Sequence, residues 1–162
     1  MAYADNEDKI RGIKREPFVA RRIKEQLVKK GLNVIMIQSS LLEDMRKKYD
    51  YRYKCPVNQF FDKNKKVQEI KVDIKCGKAF TLFDETGRNT LENSESTFIV
   101  FELYEGSRLL WINTGKFKDC LDKNGYGDLL KNSKYNNSKY FFIENYIRRY
   151  EYFLGKYVKY IN

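Results

Sequence analysis

Val67-Gln68-Glu69-Ile70-Lys71-Val72-Asp73-Ile74-Lys75-Cys76-Gly77 alternates apolar and charged residues with the period of two that belongs to an extended strand. Ile70, Val72 and Ile74 point to one face, and Glu69, Lys71, Asp73 and Lys75 to the other. Charges embedded among apolar strands are costly to cover unless they pair, reach water or bind an ion. This strand therefore predicts a core on one side and a charged cleft on the other. Asp73 and Lys75, two positions apart, set a carboxylate beside an ammonium. Glu69 and Lys71 repeat the pattern on the same face, but Cys76-Gly77 ends the strand directly after Asp73-Ile74-Lys75, and that triplet is preferred.

Outward from this strand, Thr97–Leu103 (TFIVFEL) and Arg108–Asn113 (RLLWIN) are apolar and β-branched enough to be strands, with a turn at Glu105-Gly106-Ser107. Leu32–Ser39 reads as a buried strand, and Val57–Phe61 as a strand joined to Val67–Lys75 by the turn Asp62-Lys63-Asn64-Lys65. Upstream, Ile10, Ile13, Val19, Ala20, Ile23 and Leu27 recur at helical spacing up to Lys29-Lys30-Gly31. Pro17 is expected to divide this run into a short helix and a longer one. Leu41–Lys48 suits one or two helical turns, and Asp84–Ser96 and Lys123–Asn137 have loop composition. Lys116–Leu121 suits a short helix and Tyr140–Ile143 a last strand. Beyond it, Tyr146, Ile147, Tyr150, Phe153, Leu154, Tyr157 and Val158 predict an amphipathic terminal helix over Glu144–Tyr160 whose aromatic face packs. No repeat or low-complexity linker interrupts the chain, so residues 1–162 read as one domain.

Composition narrows the chemistry. The 162 residues include 42% apolar or Tyr and 33% charged, which fits a globular domain, and no run reaches the ~20 apolar residues that span a bilayer. Met1–Arg11 is polar and acidic rather than signal-like, so the reading is an intracellular, cytoplasmic protein. The three cysteines, Cys55, Cys76 and Cys120, lack ligand or redox spacing and read as buried thiols. The chain has no histidine, which removes Ser-His-Asp and Cys-His hydrolases, histidine-metal nucleases and classical zinc fingers. Thirty-two Lys and Arg against 22 Asp and Glu give a net charge of +10, and nucleic acid is the commonest partner of such a chain.

Phosphodiester hydrolysis asks for carboxylates to hold Mg²⁺, an open position for water, and a positive charge to orient that water. Asp73 and Lys75 supply an acid and a cation without histidine. The order of a helix bearing Glu, strands, a D-x-K strand and two closing strands resembles the PD-(D/E)xK nuclease superfamily over roughly Lys9 to Leu121. The matching pieces are Arg15-Glu16-Pro17-Phe18-Val19-Ala20 and Lys71-Val72-Asp73-Ile74-Lys75-Cys76-Gly77, with Thr97–Leu103 and Arg108–Thr114 similar to the closing strands. The resemblance implies an α/β, restriction-endonuclease-like fold: a mixed β-sheet of about five strands flanked by helices, with the C-terminal aromatic amphipathic helix added.

It further implies a Mg²⁺- or Mn²⁺-dependent DNA endonuclease, resolvase-like or restriction-like, working as a homodimer in a bacterial or phage-infected cell. Lys75, Asp73, Glu16 and Asn58 become the catalytic set, and Asp73, Asn58, Glu16 and Ile74 the metal set. Lys14, Arg15, Arg21, Arg22 and Lys78 become phosphate contacts. Asn58 departs from the family, which has Asp on the preceding strand, and an amide there weakens metal binding. Three explanations stand open: Asp62 is the ligand instead, an inactivating Asp→Asn change is present, or the chain is an inactive DNA-binding or inhibitor protein of this fold.

Overall fold

The computed structural model describes residues 3–40, 49–54, 69–106 and 108–162, with side chains from Arg15 onward, that of Glu105 excepted. Leu41–Lys48, Asn58, Asp62 and the strand expected at Val57–Phe61 lie outside these residues.

Helix α1 (Tyr3–Lys29) runs unbroken through Pro17, and the expected division into two helices does not occur. Proline removes one backbone hydrogen bond and crowds the carbonyl four residues earlier. Here the chain on both sides of it is held by the sheet: Val19, Ala20, Ile23 and Leu27 are buried against the strands, and Arg15 grips Glu102. Tertiary contacts outweigh the local penalty.

The strands among the described residues are β1 (Ile35–Gln38), β2 (Tyr51–Lys54), β3 (Glu69–Cys76), β4 (Ala79–Phe83), β5 (Phe98–Leu103), β6 (Arg108–Asn113), β7 (Lys131–Asn132), β8 (Lys139–Phe142) and β9 (Val158–Ile161). Six of them form a sheet in the order β1-β2-β3-β5-β6-β9, and β4-β8-β7 make a second, three-stranded sheet. Among the described strands of the large sheet β3 and β5 run parallel and the other neighbours antiparallel, so it is mixed. The chain is thus a mixed α/β protein, with six strands rather than about five in the main sheet. β1 is an edge strand with Ile35 63% exposed, not the buried strand expected there.

Each face of the large sheet carries a core. Ile70, Val72 and Ile74 of β3, Phe98 and Val100 of β5 and Leu109 and Trp111 of β6 pack with α1. On the other face Ile99, Phe101, Leu103, Leu110 and Ile112 meet Phe80, Leu82, Phe117, Phe141 and Tyr146. Those last residues come from β4, β8, α2 (Thr114–Asn124) and α3 (Ile143–Arg149). The alternation read from β3 places its apolar residues on the α1 face as expected, because a strand between two layers must satisfy both.

The C-terminal segment differs from expectation. In place of one amphipathic helix there are α3, a four-residue α4 (Glu151–Leu154), a 3-10 turn (Gly155–Tyr157) and strand β9 against β6. Tyr146, Ile147, Tyr150 and Leu154 are buried as the aromatic-face reading requires, with Tyr146 stacked on Phe141 at 4.6 Å. The helix breaks at Tyr150 (ψ 32°), and pairing with the open edge of β6 then claims Val158–Ile161. Completing a sheet edge satisfies backbone groups that a solvated helical end leaves to water.

Candidate active site at the end of β2

β2 and β3 pair antiparallel with Tyr51 opposite Val72, and that ladder ends one residue after Asp50. The Asp50 backbone N–H still reaches the Val72 carbonyl (2.8 Å), and its carbonyl accepts from Ser39 N–H (2.8 Å). Past this point β3 has no strand partner on the β2 side among the described residues. The Asp50 carboxyl takes that place, its Oδ2 accepting the Ile74 N–H at 2.6 Å. An aspartate at the entry to a strand, a residue type that suits turns better than strands, here completes a ladder with its side chain.

The same carboxyl meets Asp73, to which it is hydrogen-bonded side chain to side chain. Both residues are buried, Asp50 8% and Asp73 7% exposed. Lys75 Nζ lies 3.3 Å from Asp73 Oδ2. Glu16 of α1 is within electrostatic reach of Asp50 and Lys75. Helix α1 and strands β2 and β3 thus bring three acids and a lysine to one place.

Electrostatics there follow from the geometry. Burial, and then the negative charges of Asp73 and Glu16, push the Asp50 carboxyl up from 3.8 to about 10, so at neutral pH it holds a proton that it shares toward Asp73. Lys75 moves upward as well, mainly through attraction to Asp73, against the opposing effect of its own burial. It is an ammonium at every physiological pH.

Among the described residues no group of three or more His, Cys, Asp or Glu is gathered closely enough to hold a metal by itself. The close set is the Asp50–Asp73 pair, with Glu16 further out. Mg²⁺ is commonly held by one or two carboxylates and keeps its remaining positions for water and phosphate, so the pair suits it. Asp50 lies beside Asp73, and a divalent cation held by the pair would take the place of the Asp50 proton. Ile74, whose N–H is directed to Asp50, turns its carbonyl to the same open side by strand geometry. The donor set fits a hard divalent ion.

The residues expected from sequence divide clearly. Asp73, Lys75 and Glu16 come together, and Ile74 is beside them. Asn58 and Asp62 lie outside the described residues, and the acid next to Asp73 is Asp50, which the sequence reading passed over. Among the described strands β3 has β2 and β5 as its neighbours, so the described strand that precedes the D-x-K strand in the chain and pairs with it is Tyr51–Lys54. The Glu69-Ile70-Lys71 alternative separates: Glu69 pairs with Arg52 at 3.3 Å and Lys71 lies over the Tyr49 ring.

Among the expected phosphate contacts, Arg15 is engaged by Glu102 through two bonds of 3.0 and 2.8 Å, and Arg22 donates to the Gly106 carbonyl. Both hold α1 to the sheet. Arg21 is exposed beside the Phe18 ring, and Lys78 sits over Phe142 just after β3. The Lys14 side chain lies outside the described residues. Cys76 is half-buried and Cys120 buried, and no helix among the described residues is long and apolar enough to cross a membrane.

No family model matches this chain, and no curated protein or solved structure does either.

Proposed function

We propose that this protein is a divalent-metal-dependent nuclease of the PD-(D/E)xK type acting on DNA, with Asp50, Asp73 and Lys75 as its catalytic core and Glu16 supporting it. One observation carries the reading: the buried Asp50 carboxyl is joined at once to Asp73 and to the Ile74 N–H, with the Lys75 ammonium 3.3 Å from Asp73. Asp50, at the entry to β2, offers beside Asp73 the carboxylate that Asn58 lacks.

Asp50 and Asp73 would hold Mg²⁺ or Mn²⁺, with the Ile74 carbonyl beside them and Glu16 acting through water. The ion would polarise the scissile phosphate and lower the pKa of the attacking water. Lys75 keeps its proton, so it works as a fixed positive charge: it orients the water and offsets charge that develops on the phosphate oxygens. Asp73 fixes the Lys75 ammonium in place, and Asp50 would release its proton to solvent on binding the cation. The excess of ten positive charges over the chain draws a polyanionic substrate toward this acidic spot. Cutting both strands with one such site per chain calls for two copies, hence a homodimer.

The test is cleavage of supercoiled plasmid and of four-way-junction DNA with Mg²⁺ or Mn²⁺, with EDTA and Asp73→Ala as controls. Nicking or junction cutting that vanishes in both controls is expected. Intact DNA after prolonged incubation of the wild-type protein with either metal refutes the proposal.

A further inference from the structure

Away from the acidic site, the C-terminal segment and α2 form a different kind of surface. Two clefts, of about 370 and 280 Å³, adjoin there and share Lys156 and Tyr157 as a common wall. The first also holds Lys116, Lys123, Tyr152 and Phe153, and the second extends to Lys159 beside Phe98 and Trp111.

Lysines and rings alternate across this surface. The ammonium groups of Lys116 and Lys156 both approach the Tyr157 ring, at 5.1 and 5.2 Å from its centre, and Lys123 lies 5.7 Å from that of Phe153. Tyr152 is 77% exposed, its hydroxyl anchored by donation to the Asn124 side chain at 2.8 Å, so its ring stands in solvent in a set orientation. An exposed ring held in a set orientation offers its face for stacking. The acid in the first cleft is Asp119, 4.0 Å from Lys116. Glu151 and Asp122 are the nearest other carboxylates in sequence, and neither is ion-paired with Lys123 or Lys156 among the described residues. Lys116 and Lys156, two ammonium groups around one ring, repel each other, and Asp119 is the acid that lines their cleft. A phosphate relieves that repulsion and a base stacks on the ring, which together are the two halves of a nucleotide.

We infer that the two clefts joined at Lys156 and Tyr157 form a second binding surface, a track for single-stranded nucleic acid in which Lys116, Lys123 and Lys156 contact phosphates and Tyr152 and Tyr157 stack bases. A duplex keeps its bases stacked inside and offers these rings nothing. This surface shares no residue with the Asp50–Asp73 site, so its existence does not depend on the nuclease reading.

Fluorescence anisotropy with labelled dT20, in EDTA to prevent cleavage, tests it. The Lys116→Gln/Lys123→Gln/Lys156→Gln variant should bind dT20 at least about tenfold more weakly. Its slope of log K against log salt should shrink by about 2, the share of three phosphates at ~0.7 each. Tyr152→Ala should weaken dT20 binding by about fivefold or more and leave an abasic oligomer of equal length unaffected, since stacking needs a base. Circular dichroism and thermal melting check that both variants fold, and Lys→Arg at the three positions should restore affinity. Wild-type affinity and salt slope in the triple Gln variant overturn the inference. So does equal binding of dT20 and the abasic oligomer by the wild type, and so does competition by polyglutamate as effective as that by unlabelled dT20, which marks an acidic protein partner instead.

Discussion

Asp50→Asn alters one atom of the site and leaves its shape alone. In the metal-free protein the Asp50 carboxyl, held at about 10, is neutral at pH 7, while in the unfolded chain it ionises near 3.8. Folding at neutral pH must therefore take up a proton. Three pH units of uptake correspond to about 4 kcal/mol at 1.36 kcal/mol each, and relaxation around the pair brings the expected figure to about 2–4 kcal/mol. Asparagine avoids this cost. Its amide oxygen accepts the Ile74 N–H as the carboxyl does, and its NH₂ donates to Asp73 in place of the acid O–H.

The variant should therefore melt about 5–10 °C above wild type at pH 7 in EDTA, at ~2–4 °C per kcal/mol for a chain of this size. The sign of the pH dependence follows from the upward displacement of Asp50. Its contribution to wild-type stability is fully present below pH 3.8 and is lost progressively as pH rises toward about 10. The gap between variant and wild type should thus widen from pH 5 to pH 9. Mg²⁺ at millimolar concentration should raise the wild-type melting temperature by mass action and leave the variant where it was. Differential scanning calorimetry over this pH range, with and without Mg²⁺, measures all of these. An Asn variant that melts at or below wild type at pH 8 in EDTA, or a gap that does not grow with pH, refutes a neutral buried Asp50 beside Asp73.

Other outcomes follow from the same geometry. Because a cation must displace the Asp50 proton, apparent Mg²⁺ or Mn²⁺ affinity should rise about tenfold per pH unit between pH 6 and 8, with about one proton released per ion; calorimetry in buffers of different ionisation enthalpy reads this directly. Lys75→Ala should lower single-turnover cleavage by about 10²–10³-fold while Mn²⁺ affinity, followed by titration calorimetry, changes little, since lysine acts on the phosphate and water rather than on the ion. Glu102→Gln removes the charge of the 5%-exposed partner of Arg15 while its amide oxygen still accepts, and with the Arg15 side chain 39% exposed it should cost about 1 kcal/mol in urea unfolding.

What the sequence made legible, and what it did not, both trace to where structural information resides. β3, β5 and β6 were readable because each has its own apolar pattern: Ile70-Val72-Ile74, Phe98-Ile99-Val100-Phe101 and Leu109-Leu110-Trp111-Ile112. Asp73 and Lys75 stood out for the same reason, as the charged interruptions of a strand otherwise built for burial. β4 went unnoticed behind Gly77, and β9 because Tyr157 and Val158 also extend a helical spacing. Neither segment states its partner locally: β9 exists because the edge of β6 is there to be covered, and β4 because β8 is. Asp50 is the more telling case. Tyr49, Tyr51 and Tyr53, all buried, alternate with Asp50, Arg52 and Lys54, and that period of two was the available sign of a strand. Polar residues between the tyrosines hid it, and the more apolar Val57–Phe61 took the role instead. Yet the importance of Asp50 lies in no property of its own neighbourhood in sequence. It comes from the register that sets Tyr51 against Val72, which makes the residue before β2 the lateral neighbour of Asp73 and hands its carboxyl the Ile74 N–H that the ladder no longer uses. A shift of that register by one residue would turn Tyr51 and Tyr53 out of the α1 core and carry Asp50 away from Asp73 together. The apolar packing that holds Tyr53 against α1, with its hydroxyl donating to the Ala20 carbonyl at 2.8 Å, is therefore also what keeps the two carboxyls in contact.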